Sequence, residues 1–129
     1  MIFVHGGGWR RGDKSAVVRK AAFFTGDGWL FVSVNYRLVP EGRHPTNVQD
    51  VANALAWVHN HSAEVGGDPD AICLMGHSAG AHLASLVATD ERYLENAGHS
   101  LGILNGVIAL DTQAGPLLNV FAPRVFRPR

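Results

Sequence analysis

Five residues, Gly76-His77-Ser78-Ala79-Gly80, leave this chain few ways to fold. The apolar run Ala71-Ile72-Cys73-Leu74-Met75 ahead of them follows the turn signal Gly66-Gly67-Asp68-Pro69 and reads as a buried strand. Ala79 to Thr89 carries Ala79, Leu83, Leu86 and Val87 at helical spacing, so a helix follows at once. G-x-S-x-G between a strand and a helix is a nucleophile elbow. The turn is so sharp that Gly76 and Gly80 must be small, and it lifts Ser78 out of the sheet with its hydroxyl exposed. The Ala79 amide then lies at a helix N-terminus, where the local field favours negative charge. That arrangement suits acyl transfer, in which an oxyanion forms beside the nucleophile. Three fixed positions in five match by chance often; the flanking strand and helix give the match weight, and a second motif adds to it.

Met1-Ile2-Phe3-Val4 starts as a strand and runs straight into His5-Gly6-Gly7-Gly8-Trp9. Three successive glycines at a strand's end let backbone amides turn toward a bound group, because no Cβ restricts φ. Such a loop is a phosphate cradle or an oxyanion hole. The phosphate patterns G-x-x-x-x-G-K-[ST] and G-x-G-x-x-G are both missing. HGGG ahead of a G-x-S-x-G elbow is the paired oxyanion motif of lipases and esterases, with Gly7, Gly8 and Ala79 as the amide donors.

On these residues the chain resembles the α/β-hydrolases of the HGGG-bearing carboxylesterase, hormone-sensitive-lipase and kynurenine-formamidase-like group. The resemblance runs over roughly residues 1–113 and includes Asn35-Tyr36-Arg37-Leu38-Val39-Pro40-Glu41 between the two motifs. HGGGW, rather than HGGGF, leans toward the carboxylesterase and formamidase-like side. The resemblance implies that the Asn35–Leu38 segment packs near the site entrance, where anchoring of a loop is its plain role. It also implies that His5 props the oxyanion loop and is not the base.

The remaining elements follow from local pattern. Asp13 or Ser15 is expected to cap a helix reaching Phe24, with Val17, Val18, Ala21 and Phe24 inward, ended by Gly26-Asp27-Gly28. Trp29 to Asn35 reads as a second strand. Thr46 and Gln49 fit a capping box, and Val48, Val51, Ala52, Leu55 and Val58 form one apolar helical stripe to about Ser62. His59 and His61, two apart, share no helix face and read as solvated or capping residues rather than a metal pair. Asp90 to His99 is polar, a loop or one short helical piece, and Leu101 to Leu110 reads as a fourth strand ending at Asp111. Strand and helix alternate, which predicts an α/β protein: three α/β/α layers around a mostly parallel sheet. Mapped on the resemblance, it is a partial α/β-hydrolase fold of four core strands, ordered second, first, third, fourth. Ser78 and the Gly6–Gly8 loop then meet at the carboxyl ends of neighbouring strands.

Composition excludes several classes. With 129 residues, 47% of them hydrophobic, the chain can bury one core. No apolar run approaches the ~20 residues that span a bilayer, and no basic-then-apolar leader is visible, which points weakly to the cytoplasm. Cys73 is the single cysteine, a small core residue, so the chain has no internal disulfide; no zinc-type ligand spacing and no cofactor motif appear. Net charge is zero, which argues against a nucleic-acid surface. The zero hides an asymmetry: residues 1–113 hold eight Lys and Arg against eleven Asp and Glu, while Arg124, Arg127 and Arg129 stand without an acid after them. Residues 114–129, with Pro116, Pro123 and Pro128, show neither helical nor strand period. They are expected to be a disordered or non-native tail; a basic tail for an acidic partner is the alternative.

Ser78 needs a His to take its proton and an acid to orient that His, and in this fold they come in the order Ser, acid, His. His77 sits in the elbow and points away, His82 lies on the helix below, and His99 precedes Asp111, the only acid in a plausible place. The chain thus reads as the central part of a hydrolase without its acid and base, and with bare sheet edges it is expected to be of low stability. The expected function is a carboxylesterase-like serine hydrolase cleaving small esters, crippled in this chain. The alternative is a non-catalytic α/β module binding an anion or other ligand on the Gly6–Gly8 loop.

Overall fold

The computed structural model describes residues 1–111, so the tail expected at 114–129 lies outside the described residues. Four strands, β1 (Ile2–Val4), β2 (Val32–Val34), β3 (Cys73–His77) and β4 (Gly106–Leu110), form one sheet in the order β2-β1-β3-β4. Every pairing is parallel, with Met75 facing Phe3 on one side and Ile108 on the other. This is the order expected from the sequence.

Strand alternation divides the apolar residues between two faces. Ile2, Val4 and Leu74 point toward α2 (Thr46–His61) and α3 (Ala79–Thr89), where Val48, Val51, Ala52, Leu55, Leu83 and Val87 complete the main core. The whole stripe expected on α2 is buried. Phe3 and Met75 point the other way, onto Phe24 of the short α1 (Lys20–Gly26) and onto Trp29 and Phe31. Phe31 stacks between Phe3, at 6.2 Å, and Phe24, at 5.8 Å. Helices on both faces give the three layers.

Five local expectations need correction, and tertiary contacts explain three of them. The first helix begins at Lys20, not near Asp13 or Ser15. Asp13 Oδ1 accepts the Ser15 amide at 2.9 Å and its Oδ2 accepts Asn35 Nδ2 at 3.1 Å, so this side chain braces a turn against the end of β2. Val18, expected inside, stands at φ 51° and is 84% exposed. The Thr46 capping box does not form: Gln49 Nε2 instead donates to Asn53 Oδ1 and to the Tyr93 carbonyl of α4 (Arg92–Asn96). The second strand contracts to Val32–Val34, and Leu101–Ile103 is a short 3₁₀ turn ahead of β4. Asn105 sets that start, since its amide donates to Ile72 O and its Oδ1 accepts the Ile72 amide at 2.7 Å.

No helix among the described residues is long and apolar enough to cross a membrane.

Candidate active site

β3 passes into α3 across Ser78, which is held at φ 52° and ψ −118°. A non-glycine residue in such a region costs about 1–3 kcal/mol and persists only where its surroundings fix it. Here the Ser78 amide donates to Leu110 O at 2.8 Å, and Ser78 O accepts the His82 amide at 3.2 Å. The two motif glycines allow the close approach. A Cβ on Gly76 would strike the Gly80 carbonyl, and a Cβ on Gly80 would strike the carbonyls of Val4 and His5. The Ser78 side chain caps nothing and is partly exposed.

The glycine loop lies against this elbow. A Cβ on Gly6 would come within 2.9 Å of His77 O and 3.1 Å of Ser78 Cβ, so the loop and the serine are in van der Waals contact. Gly7 and Gly8 follow at φ 127° and 61°, conformations that glycine adopts without the penalty of a Cβ. Among the described residues, the amides of Gly7, Gly8 and Ala79 donate to no other group. Two free N–H groups thus stand on the loop whose Gly6 touches the serine, and a third stands at the first turn of α3.

What fixes the loop is a buried stack. His5 is 3% exposed, its Nδ1–H donates to Gly6 O at 2.7 Å, and its ring lies on Tyr36 at 4.6 Å. The Tyr36 hydroxyl donates to His5 O at 2.9 Å, and burial pushes its pKa up to about 12, so it stays a neutral donor. Val39 N donates to Trp9 O at 2.8 Å. Arg37 grips Asp50 of α2 through Nε and a second guanidinium nitrogen, at 2.9 and 2.8 Å. Burial alone would raise the Asp50 carboxyl, but the hydrogen bonds and charge of Arg37 outweigh it and hold the group below its usual range. The Asn35–Leu38 segment is therefore a loop anchor. Tyr36→Phe keeps the ring and leaves the His5 carbonyl short of a donor, so it is expected to lower stability by about 1–3 kcal/mol, read from the urea midpoint.

The histidines do not assemble into a triad. His77 is exposed, with Nε2 3.9 Å from Asp111 Oδ2, beyond hydrogen-bond reach, and the Asp111 side chain is 86% exposed. His99 packs edge-on against His59 at 4.9 Å, and His59 bonds Pro69 O ahead of β3, at the far end of the strands from Ser78. His61 bonds Trp57 O and stacks on that indole. His82 lies edge-on to Trp9 at 5.7 Å, against the end of the glycine loop rather than below the site as the sequence suggested. Among the described residues no cluster of His, Cys, Asp or Glu could hold a metal ion. Cys73 packs on the Phe3 face of the sheet, and burial pushes its thiol up.

The chain is similar to known proteins in sequence and in fold. The BD-FAE family model matches residues 1–112. The probable carboxylic ester hydrolase LipM of Mycobacterium tuberculosis is 43% identical over 86 residues, covering 66% of this chain and 20% of that protein. The carboxylesterase NlhH of the same organism is 40% identical over 90 residues, covering 68% of this chain and 28% of that protein. Among solved structures, a bacterial heroin esterase superposes with a TM-score of 0.67 at 32% identity, covering 77% of this chain and 31% of that one. The chain thus spans 20% to 28% of the length of these two curated relatives.

Proposed function

The chain belongs to the BD-FAE family and has the α/β-hydrolase fold, and from that premise we propose that it serves carboxylic ester hydrolysis through an acyl-serine on Ser78. Ser78 Oγ attacks the carbonyl carbon of a small ester, and the carbonyl oxygen, as it gains charge, accepts from the unpaired amides of Gly7, Gly8 and Ala79. The ester C–O bond then breaks, the alcohol leaves with a proton, and water hydrolyses the acyl-serine to the acid and free Ser78. Each such amide donor contributes on the order of 10²–10³ in rate. Those three unengaged amides, with the strained serine, carry the reading.

A base must remove the Ser78 proton, and none of the described histidines is placed with a carboxylate behind it to do so. That observation favours a second reading, a non-catalytic module that binds an anion on the same amides. A fluorophosphonate separates the two. Phosphonylation mapped by peptide mass to Ser78 is the expected result. Thermal stabilisation by inorganic phosphate with no adduct would give the second reading the lead.

A further inference from the structure

We propose that the groove between the oxyanion loop and α3 is a subsite for a carboxylate carried by the ester substrate, an inference that deepens the acyl-serine reading and rests on it. The groove has a volume of about 280 Å³ and lies between Trp9, the loops around Val39 and Arg43, and the first turns of α2 and α3. That is small for a whole ligand, since pockets for drug-sized molecules run from about 300 to 1,000 Å³. It suits one side group on a few carbons.

Its lining is apolar at Trp9, Val39 and Leu83; Arg10, Arg43 and Asn47 offer N–H donors, and His44 is engaged with the Tyr93 hydroxyl at 3.0 Å. Asn47 is only 4% exposed; its Oδ1 is taken by the Val48 amide at 2.9 Å, and its Nδ2 has no partner among the described residues. His82 lines the same groove with a fully buried, unpartnered Nδ1. Arg10 and Arg43 stand at the rim, exposed and outside any ion pair among the described residues. No acid lines the groove. An ionised carboxylate accepts hydrogen bonds and donates none, so it matches this set where an amide, with its own N–H groups, does not.

Position ties the groove to the chemistry. His82 is one helical turn beyond Ser78, and residues four apart on a helix lie about 5–6 Å from each other. Gly8, one of the three free amides, forms its wall. A carboxylate held there sits within a short chain of a carbonyl on Ser78.

The 129-residue chain is titrated with glutarate and, separately, with glutaramide, while the imidazole C–H signal of His82 is followed by NMR. In parallel, a neutral fluorophosphonate reports on Ser78. Glutarate is expected to shift His82 saturably and glutaramide to bind at least tenfold more weakly. Arg10→Gln with Arg43→Gln is expected to weaken glutarate tenfold or more; both side chains are exposed, and circular dichroism checks that the fold is kept. Equal binding of the two probes, or a glutarate shift indifferent to the arginines, overturns the subsite even if Ser78 is labelled. An arginine-dependent glutarate shift without labelling of Ser78 keeps the carboxylate site and removes the acyl-serine reading instead.

Discussion

Ser78→Ala is expected to abolish fluorophosphonate incorporation and leave the fold unchanged. The hydroxyl makes no hydrogen bond among the described residues, so its removal strands no partner there, and stability should stay within about 0.5 kcal/mol of the parent. Alanine at φ 52° bears the same kind of strain as serine, so the backbone has no new reason to move. Turnover is not the readout, because the factor of up to about 10⁶ belongs to a nucleophile that works with a base, and none of the described histidines serves Ser78 as one. Ser85 provides the comparison on the same helix. Its Oγ is buried and donates to Ala81 O at 2.8 Å, so Ser85→Ala should label at the parent rate. Adduct persisting in Ser78→Ala, seen by intact mass, would place the nucleophile elsewhere. Ser78→Gly adds a second check: it also loses the label, yet relief of the backbone strain should leave it more stable than the alanine variant.

Much of the architecture was legible because the motifs that give it are local and sterically strict. Gly76 and Gly80 can be small for only one reason, and the contacts that a Cβ would make at both positions bear it out. The stripe from Val48 to Val58 was equally plain, since burial of an amphipathic face needs no knowledge of its partner. The misread boundaries share another cause. Asp13 and Gln49 each had a plausible local job and are used at long range, by Asn35 and Tyr93, while Asn105, read as strand interior, is held by Ile72. A side chain that can cap a helix can equally bridge two elements, and only the folded chain shows which bond wins. The site divides the same way. The serine and the three amides lie inside contiguous motifs. The Tyr36 bond to His5 O spans 31 residues, and the groove joins Trp9, Asn47 and His82 from three segments, so neither had a local signature.

Gly80→Ala is the change expected to destabilise the protein most. Intrinsic helix propensity alone would reward alanine inside α3 by about 1 kcal/mol. The surroundings reverse that sign. The added methyl would overlap the carbonyls of both Val4 and His5, and these are backbone atoms at the end of β1. Val4 is paired in register with Gly76, so β1 cannot retreat without parting from β3. Overpacking typically costs 1–3 kcal/mol when side chains can rearrange; backbone against backbone has no rotamer to change, so a loss of about 3 kcal/mol or more is expected. Gly26→Ala supplies the contrast. It lies at the end of α1, where a Cβ would meet nothing within 4 Å, and should be neutral or slightly stabilising. Urea midpoints of the two variants test the argument, and a Gly80→Ala midpoint equal to the parent's would refute it. The same methyl pushes α3 away from the strand that leads into the glycine loop. Ser78 labelling should therefore slow in Gly80→Ala even at temperatures where the chain is still folded, because this close approach helps to hold the elbow against the end of β1 and the glycine loop.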